Sequence, residues 1–124
     1  MDIQSIIHYT LHLVFPFLVG YVFFRDKWKY AGLIILLTLV VDLDHLLAEP
    51  IYDPQRCSIG FHPLHSFPAI GIYTITLFFR QFRIIAVGLL FHMFTDLIDC
   101  IWTFSNCKEC YLESELYNAL NYLN

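Results

Sequence analysis

The chain has 124 residues, room for one domain; 58% are hydrophobic, only 15% are charged, and mean hydropathy is +0.60. A soluble domain carries roughly 25% charged residues, so this is the composition of a polytopic membrane protein. The formal net charge of -4 provides no basic face to displace counterions from phosphates, which excludes a nucleic-acid partner.

The predicted fold is an all-α membrane bundle of four transmembrane helices with an amphipathic surface helix at the C-terminus. The first span covers 5–24, is interrupted only by His8, His12 and Pro16, and closes at the basic run Arg25-Asp26-Lys27-Trp28-Lys29. It is too long for the apolar part of a signal peptide and lacks a basic start and a small-residue cleavage site, so it is read as retained. The second span, 30–48, stops at Glu49-Pro50, and a polar loop follows to Gly60. The third, 62–79, starts at His62-Pro63, with proline suited to a first helical turn. The fourth is 84–104. Over 111–123, Leu112, Leu116, Ala119, Leu120 and Leu123 recur at helical spacing among tyrosines, the pattern of a helix lying on a bilayer surface.

Cations set the orientation. Arg25, Lys27, Lys29, Arg80 and Arg83 flank the first and third connections, while the opposite side has only Arg56 and Lys108 among acidic residues. The positive-inside rule then places both termini outside.

A carboxylate in mid-span costs about 2.5 to 3.5 kcal/mol, so such groups line interior sites and are paired or metal-bound. Here Asp42, Asp44, Asp96 and Asp99 interrupt apolar helices, and all six histidines fall near the same depth. His12, Asp42 and Asp96 are equally far along the chain from Arg25, Lys29 and Arg83, about 20 Å up at 1.5 Å per residue. His8, His45 and Asp99 form a second tier, His65 falls between the tiers, and His92 lies one turn below Asp96. Spacings of three or four put His8 with His12, Asp42 with His45, His62 with His65, and His92 with Asp96 and Asp99 on shared faces. Asp44 is the exception, about 200° from Asp42 at 100° per residue, and reaches the site only if the helix loosens there.

Two divalent cations would cancel four carboxylates, which six neutral histidines cannot do. The predicted ligands are His8, His12, Asp42, His45, His62, His65, His92 and Asp96. They would hold two or more divalent transition metals, zinc foremost with iron or manganese as alternatives, since imidazole with carboxylate suits these better than calcium or magnesium. Asp44 and Asp99 are the candidate catalytic residues, with roles as ligands, as a proton-transfer base or as partners that orient a ligand imidazole all open. Cys57 in the outer loop, Cys100, and the Cys107-x-x-Cys110 pair allow one or two disulfides on an oxidising outer face, with three pairings open.

Asp42-x-Asp44-His45 at a helix end, Phe61-His62-Pro63-Leu64-His65-Ser66, and Gly88-x-x-x-His92-x-x-x-Asp96 together resemble the membrane-bound metal-dependent hydrolase family. That family is also described as LexA-binding inner-membrane hydrolases and is distantly similar to zinc-dependent phospholipase C. Its middle motif usually reads His-Arg-x-x-Thr-His-Ser; here proline follows the first histidine. The run Cys57 to Ser66 is still more similar to that of a compact four-helix membrane family of unassigned function. The resemblance implies a bacterial inner-membrane protein that hydrolyses a phosphoester of a lipid or other interfacial substrate, with its metal site on the periplasmic side. Two other readings stand beside it. One is a non-catalytic metal or haem protein with His12 and His92 as axial ligands. The other is a di-iron oxidative membrane enzyme, since His8-x-x-x-His12 and His62-x-x-His65 resemble the histidine boxes of membrane desaturases.

Overall fold

The computed structural model describes residues 2–124, and every regular element among them is helical. Helix α1 (Ile3–Leu13) starts where the Asp2 carboxylate accepts the Ser5 N–H at 2.8 Å, satisfying one free donor of the first turn. Helix α2 (Phe15–Phe23) follows after a 42° bend. Pro16, lacking an N–H, cannot continue the α1 hydrogen-bond ladder, so the chain turns there. The basic run forms a short 3-10 turn, and α3 (Trp28–Leu37) returns alongside α2. It passes without a break into a 3-10 helix, Thr38–Leu47. After an irregular loop come a 3-10 turn (Pro63–His65), α4 (Phe67–Thr76), a second basic turn (Arg80–Phe82) and α5 (Arg83–Asn106). Short helices α6 (Lys108–Leu112) and α7 (Glu115–Leu123) end the chain.

Two stretches, Arg25–Leu47 and Arg80–Asn106, are long and apolar enough to cross a membrane, and α1 with α2 makes a third if the bent pair counts as one. The expected third span, 62–79, differs. It holds only the ten-residue α4, about 15 Å of helix against the roughly 30 Å of a hydrocarbon core. Pro68 has no N–H for a helix continuing from Pro63, and extended Ser66 instead caps a new one, its Oγ accepting the Ala69 N–H. The tail also differs: in place of one helix over 111–123 there are two, because Ser114 caps α7 by accepting the Tyr117 N–H at 3.1 Å.

Helix α5 is the hub, packing against α1, α3, the 3-10 helix and α4. A Cβ at Gly88 would lie 2.8 Å from Thr38 Cγ2 and 3.1 Å from Ile35 Cα, so only glycine lets α3 come this close. That approach brings Thr38–Leu47 alongside His92 and Asp96. One buried apolar cluster joins Val41, Ile59, Met93 and the Cys57–Cys100 disulfide, surrounded by Ile70, Tyr73, Leu89, Leu97 and Phe104, while Ala31 and Ile35 on α3 and Ala86 on α5 are buried as well. The disulfide ties the loop to α5, while Cys107 pairs with Cys110 within the tail. Outward faces of the long helices are apolar and exposed, among them Leu18, Leu33, Leu37, Val40, Leu43, Phe94 and Ile101.

Gly88→Val should therefore force α3 away from α5 and destabilise the fold by about 1–3 kcal/mol. Gly71→Ala, where an added Cβ meets nothing within 4 Å, should be neutral or stabilising by about 0.5–1 kcal/mol. Thermal unfolding of both variants in detergent checks the contrast.

Candidate metal centre

The site is built on the 3-10 helix. Its ten residues exceed the three or four usual for this geometry, and its exposure pattern repeats every third residue. Thr38, Val41 and Asp44 are buried, Leu39, Asp42 and His45 half-buried, and Val40, Leu43 and Leu46 exposed. At three residues per turn Asp42 and Asp44 are about 120° apart, so both face into the bundle. The loosening that the spacing required for Asp44 is present.

Four side chains from three segments then converge. His65 Nε2 lies 3.5 Å from Asp42 Oδ1, 3.0 Å from Asp96 Oδ2 and 3.2 Å from His92 Nε2. His92 Nε2 lies 3.1 Å from Asp42 Oδ1 and 3.4 Å from Asp96 Oδ2. A tetrahedral ion with ligands at 2.0–2.1 Å separates them by about 3.3–3.4 Å, and these distances bracket that value. Asp96 Oδ2 is buried and accepts no hydrogen bond, although two imidazole nitrogens approach it. Neither is aligned on it. His92 Nε2 is within hydrogen-bond reach of both His65 Nε2 and Asp42 Oδ1, which leaves Asp96 Oδ2 as the unpartnered atom of the four, and this group can hold a metal ion.

The other oxygen of Asp96 faces a second group. His12 Nδ1–H donates to the His8 carbonyl at 3.0 Å, which leaves Nε2 free to face Asp96 Oδ1 at 3.4 Å and Thr95 Oγ1 at 3.2 Å. The His8 ring lies 4.2 Å from that of His12, and its buried Nδ1 has no hydrogen-bond partner. His8, His12 and Asp96 are close enough to hold an ion, with Asp96 as a bridge between the two groups.

A third group is Asp44, His45 and His62. Asp44 Oδ1 faces His45 Nδ1 at 3.0 Å, while Oδ2 accepts the Leu64 N–H at 2.8 Å and faces His65 Nδ1 at 3.0 Å. The last contact turns His65 Nε2 toward Asp42 and Asp96. His45 and His62 stack with ring centroids 3.8 Å apart, and His45 Nε2 lies 3.1 Å from Ser58 Oγ. His62 and His65 belong to the connection outside the three long apolar stretches. Burial and the neighbouring His45 push His62 down to about 4. Burial also opposes charge on His65, but Asp42, Asp96 and Asp44 outweigh it and push the imidazole up to about 10. Without a metal, a proton offsets part of the carboxylate charge.

All eight predicted ligands thus fall into these three groups. Asp44 shares the third with two of them, buried and with both oxygens engaged. Asp99 stands apart from the groups: it accepts the Gln4 amide at 2.9 Å, lies 3.9 Å from His8 Nδ1 and faces a cavity of about 320 Å³. That cavity reaches Asp42, His45, His62 and Asp96 from the loop side. Gln4, Ser58 and Thr95 were not legible from sequence, being ordinary polar residues with no diagnostic spacing. The His12 and His92 rings meet edge-on with centroids 4.5 Å apart, leaving no slot between them for a planar macrocycle.

A family model described as "Family of unknown function (DUF6122)" matches residues 2–103. The chain belongs to the DUF6122 family. The DUF6122 match takes in every residue of the three groups and stops before α6 and α7. No curated protein and no solved structure matches this chain.

Asp44→Asn should retain the fold while weakening zinc affinity about 10- to 100-fold, because His65 loses the partner that orients it. Competition with a chromogenic chelator measures this. Since a metal must displace the His65 proton, wild-type affinity should rise as pH is raised from about 6 to about 8.

Proposed function

We propose that this DUF6122 protein is an integral membrane, metal-dependent hydrolase acting on a phosphoester of a lipid or another interfacial substrate. The observation that carries the reading is the convergence of Asp42, His65, His92 and Asp96 on one point, with Asp96 Oδ2 buried and unbonded. A carboxylate in this condition within an apolar bundle needs a cation. The exposed apolar faces of the long helices support a bilayer setting, and the basic turns at one end support an orientation with that end inside. The cavity then opens on the outer, periplasmic side of a bacterial inner membrane, level with lipid phosphates.

In this reading Asp42, His65, His92 and Asp96 hold one ion, His8, His12 and Asp96 a second, and His45 and His62 with Asp44 offer a further place. Divalent zinc there would supply Lewis acidity, making a water nucleophilic near neutral pH and stabilising charge on a phosphoryl oxygen. The chain's own residues do the rest. Asp44, engaged on both oxygens, orients His65 and His45 and is not free to move protons. Asp99 faces the cavity and is the residue placed to take a proton from an entering water or give one to a leaving oxygen.

Protein purified in detergent should contain two or more zinc ions and show no visible absorption. It should hydrolyse phospholipid or lipid-phosphate vesicles, stop on chelation and recover with zinc. Asp99→Asn should keep its metal and lose about 100-fold or more in turnover. Iron with near-ultraviolet charge-transfer bands would favour the oxidative reading, and a metal-free protein after growth and purification with zinc would overturn the proposal.

A further inference from the structure

Arg56 is the only lysine or arginine among the described residues that lines the cavity, whose wall is otherwise rich in carboxylates. Despite those carboxylates, it forms no ion pair among the described residues. Its guanidinium is held by neutral groups: Nη2 donates to the carbonyls of Pro50 at 2.8 Å and Ile51 at 3.1 Å, and Cζ stands 4.7 Å from the Phe61 ring centroid. Its remaining N–H groups have no protein acceptor among the described residues.

The backbone beside it is anchored. Cys57 is bonded to Cys100, one helical turn beyond Asp96 on α5, and Ser58 reaches His45. A half-buried cation is thus held on the wall of the cavity that His45, His62 and Asp96 also line, with no carboxylate paired to it among the described residues.

We propose that Arg56 is the specificity-determining residue for an anionic phosphoryl group. It takes a non-bridging oxygen while the rest of the group faces Asp42, His62 and Asp96, and so favours phosphoesters over neutral carboxylic esters. The planar guanidinium suits this task, since it presents paired N–H donors to adjacent phosphate oxygens. The inference rests on the hydrolase reading and names the group within the substrate that the site selects.

The test is calorimetric titration of inorganic phosphate into the zinc-loaded full-length protein in detergent, for wild type, Arg56→Ala and Arg56→Gln, with zinc content measured in each. Wild type should bind phosphate, and both variants should bind it about tenfold or more weakly at equal zinc content. Added salt should weaken wild-type binding more than that of the variants, because only wild type has the charge contact to screen. If Arg56→Ala fails to load zinc, Arg56→Gln decides, since its amide can still donate to the loop carbonyls. Equal affinity in wild type and the zinc-loaded variants would overturn the role of Arg56 and leave the hydrolase reading standing. Failure of zinc-loaded wild type to bind phosphate would overturn the phosphoester reading, and the Arg56 assignment with it.

Discussion

Asp96 lies inside the longest helix of the protein, 4% exposed, with its two oxygens turned to different sides of the bundle. An isolated carboxylate in such surroundings would take up a proton or drive the helix out of the bundle. Around Asp96 stand imidazoles drawn from separate segments: His12 from α1, His65 from the connection before α4, and His92 from α5 itself. The packing of α1, α3 and the central connection against α5 can be understood as what delivers those groups.

The second constraint is angular. An α-helical stretch at Thr38–Leu47 would have turned one of its two carboxylates away from the site. Winding at three residues per turn gives three clean faces, one packed on the core with Asp44, one bordering the site with Asp42 and His45, and one apolar and outward. Hydrogen-bond geometry in a 3-10 helix is poorer than in an α-helix, so a run this long indicates that the side-chain arrangement outweighs the backbone preference. Gly88 allows it, because the backbone of α5 can approach Thr38 and Ile35 closely enough for Asp42 to meet His92.

The loop between the 3-10 helix and α4 completes the site. Gly60, with φ of 83°, takes the left-handed conformation that closes the turn, and its N–H is bonded to the His65 carbonyl at 2.9 Å. This folds His62 and His65 back toward the helices. The same loop is joined to α5 through Cys57 and carries Arg56 at the cavity. The placement of the candidate ligands and the wall of the cavity therefore depend on one short segment, held covalently at its centre.

Much was legible without coordinates. Equal distances along the chain from the basic runs placed His12, Asp42 and Asp96 at one level, because helical rise is nearly constant. Spacings of three and four identified the shared faces for the same reason of regular geometry. What depended on tertiary structure was everything set by contact between segments. The pitch of the helix at Asp44 and the pairing of Cys57 with Cys100 follow from partners far away in the chain, whereas the shortening of 62–79 to α4 has a local cause in Ser66 and Pro68. So does the position of Arg56, which in sequence is only one cation in a polar loop. Local periodicity reports which way a residue points along its own segment. Only packing decides what it meets.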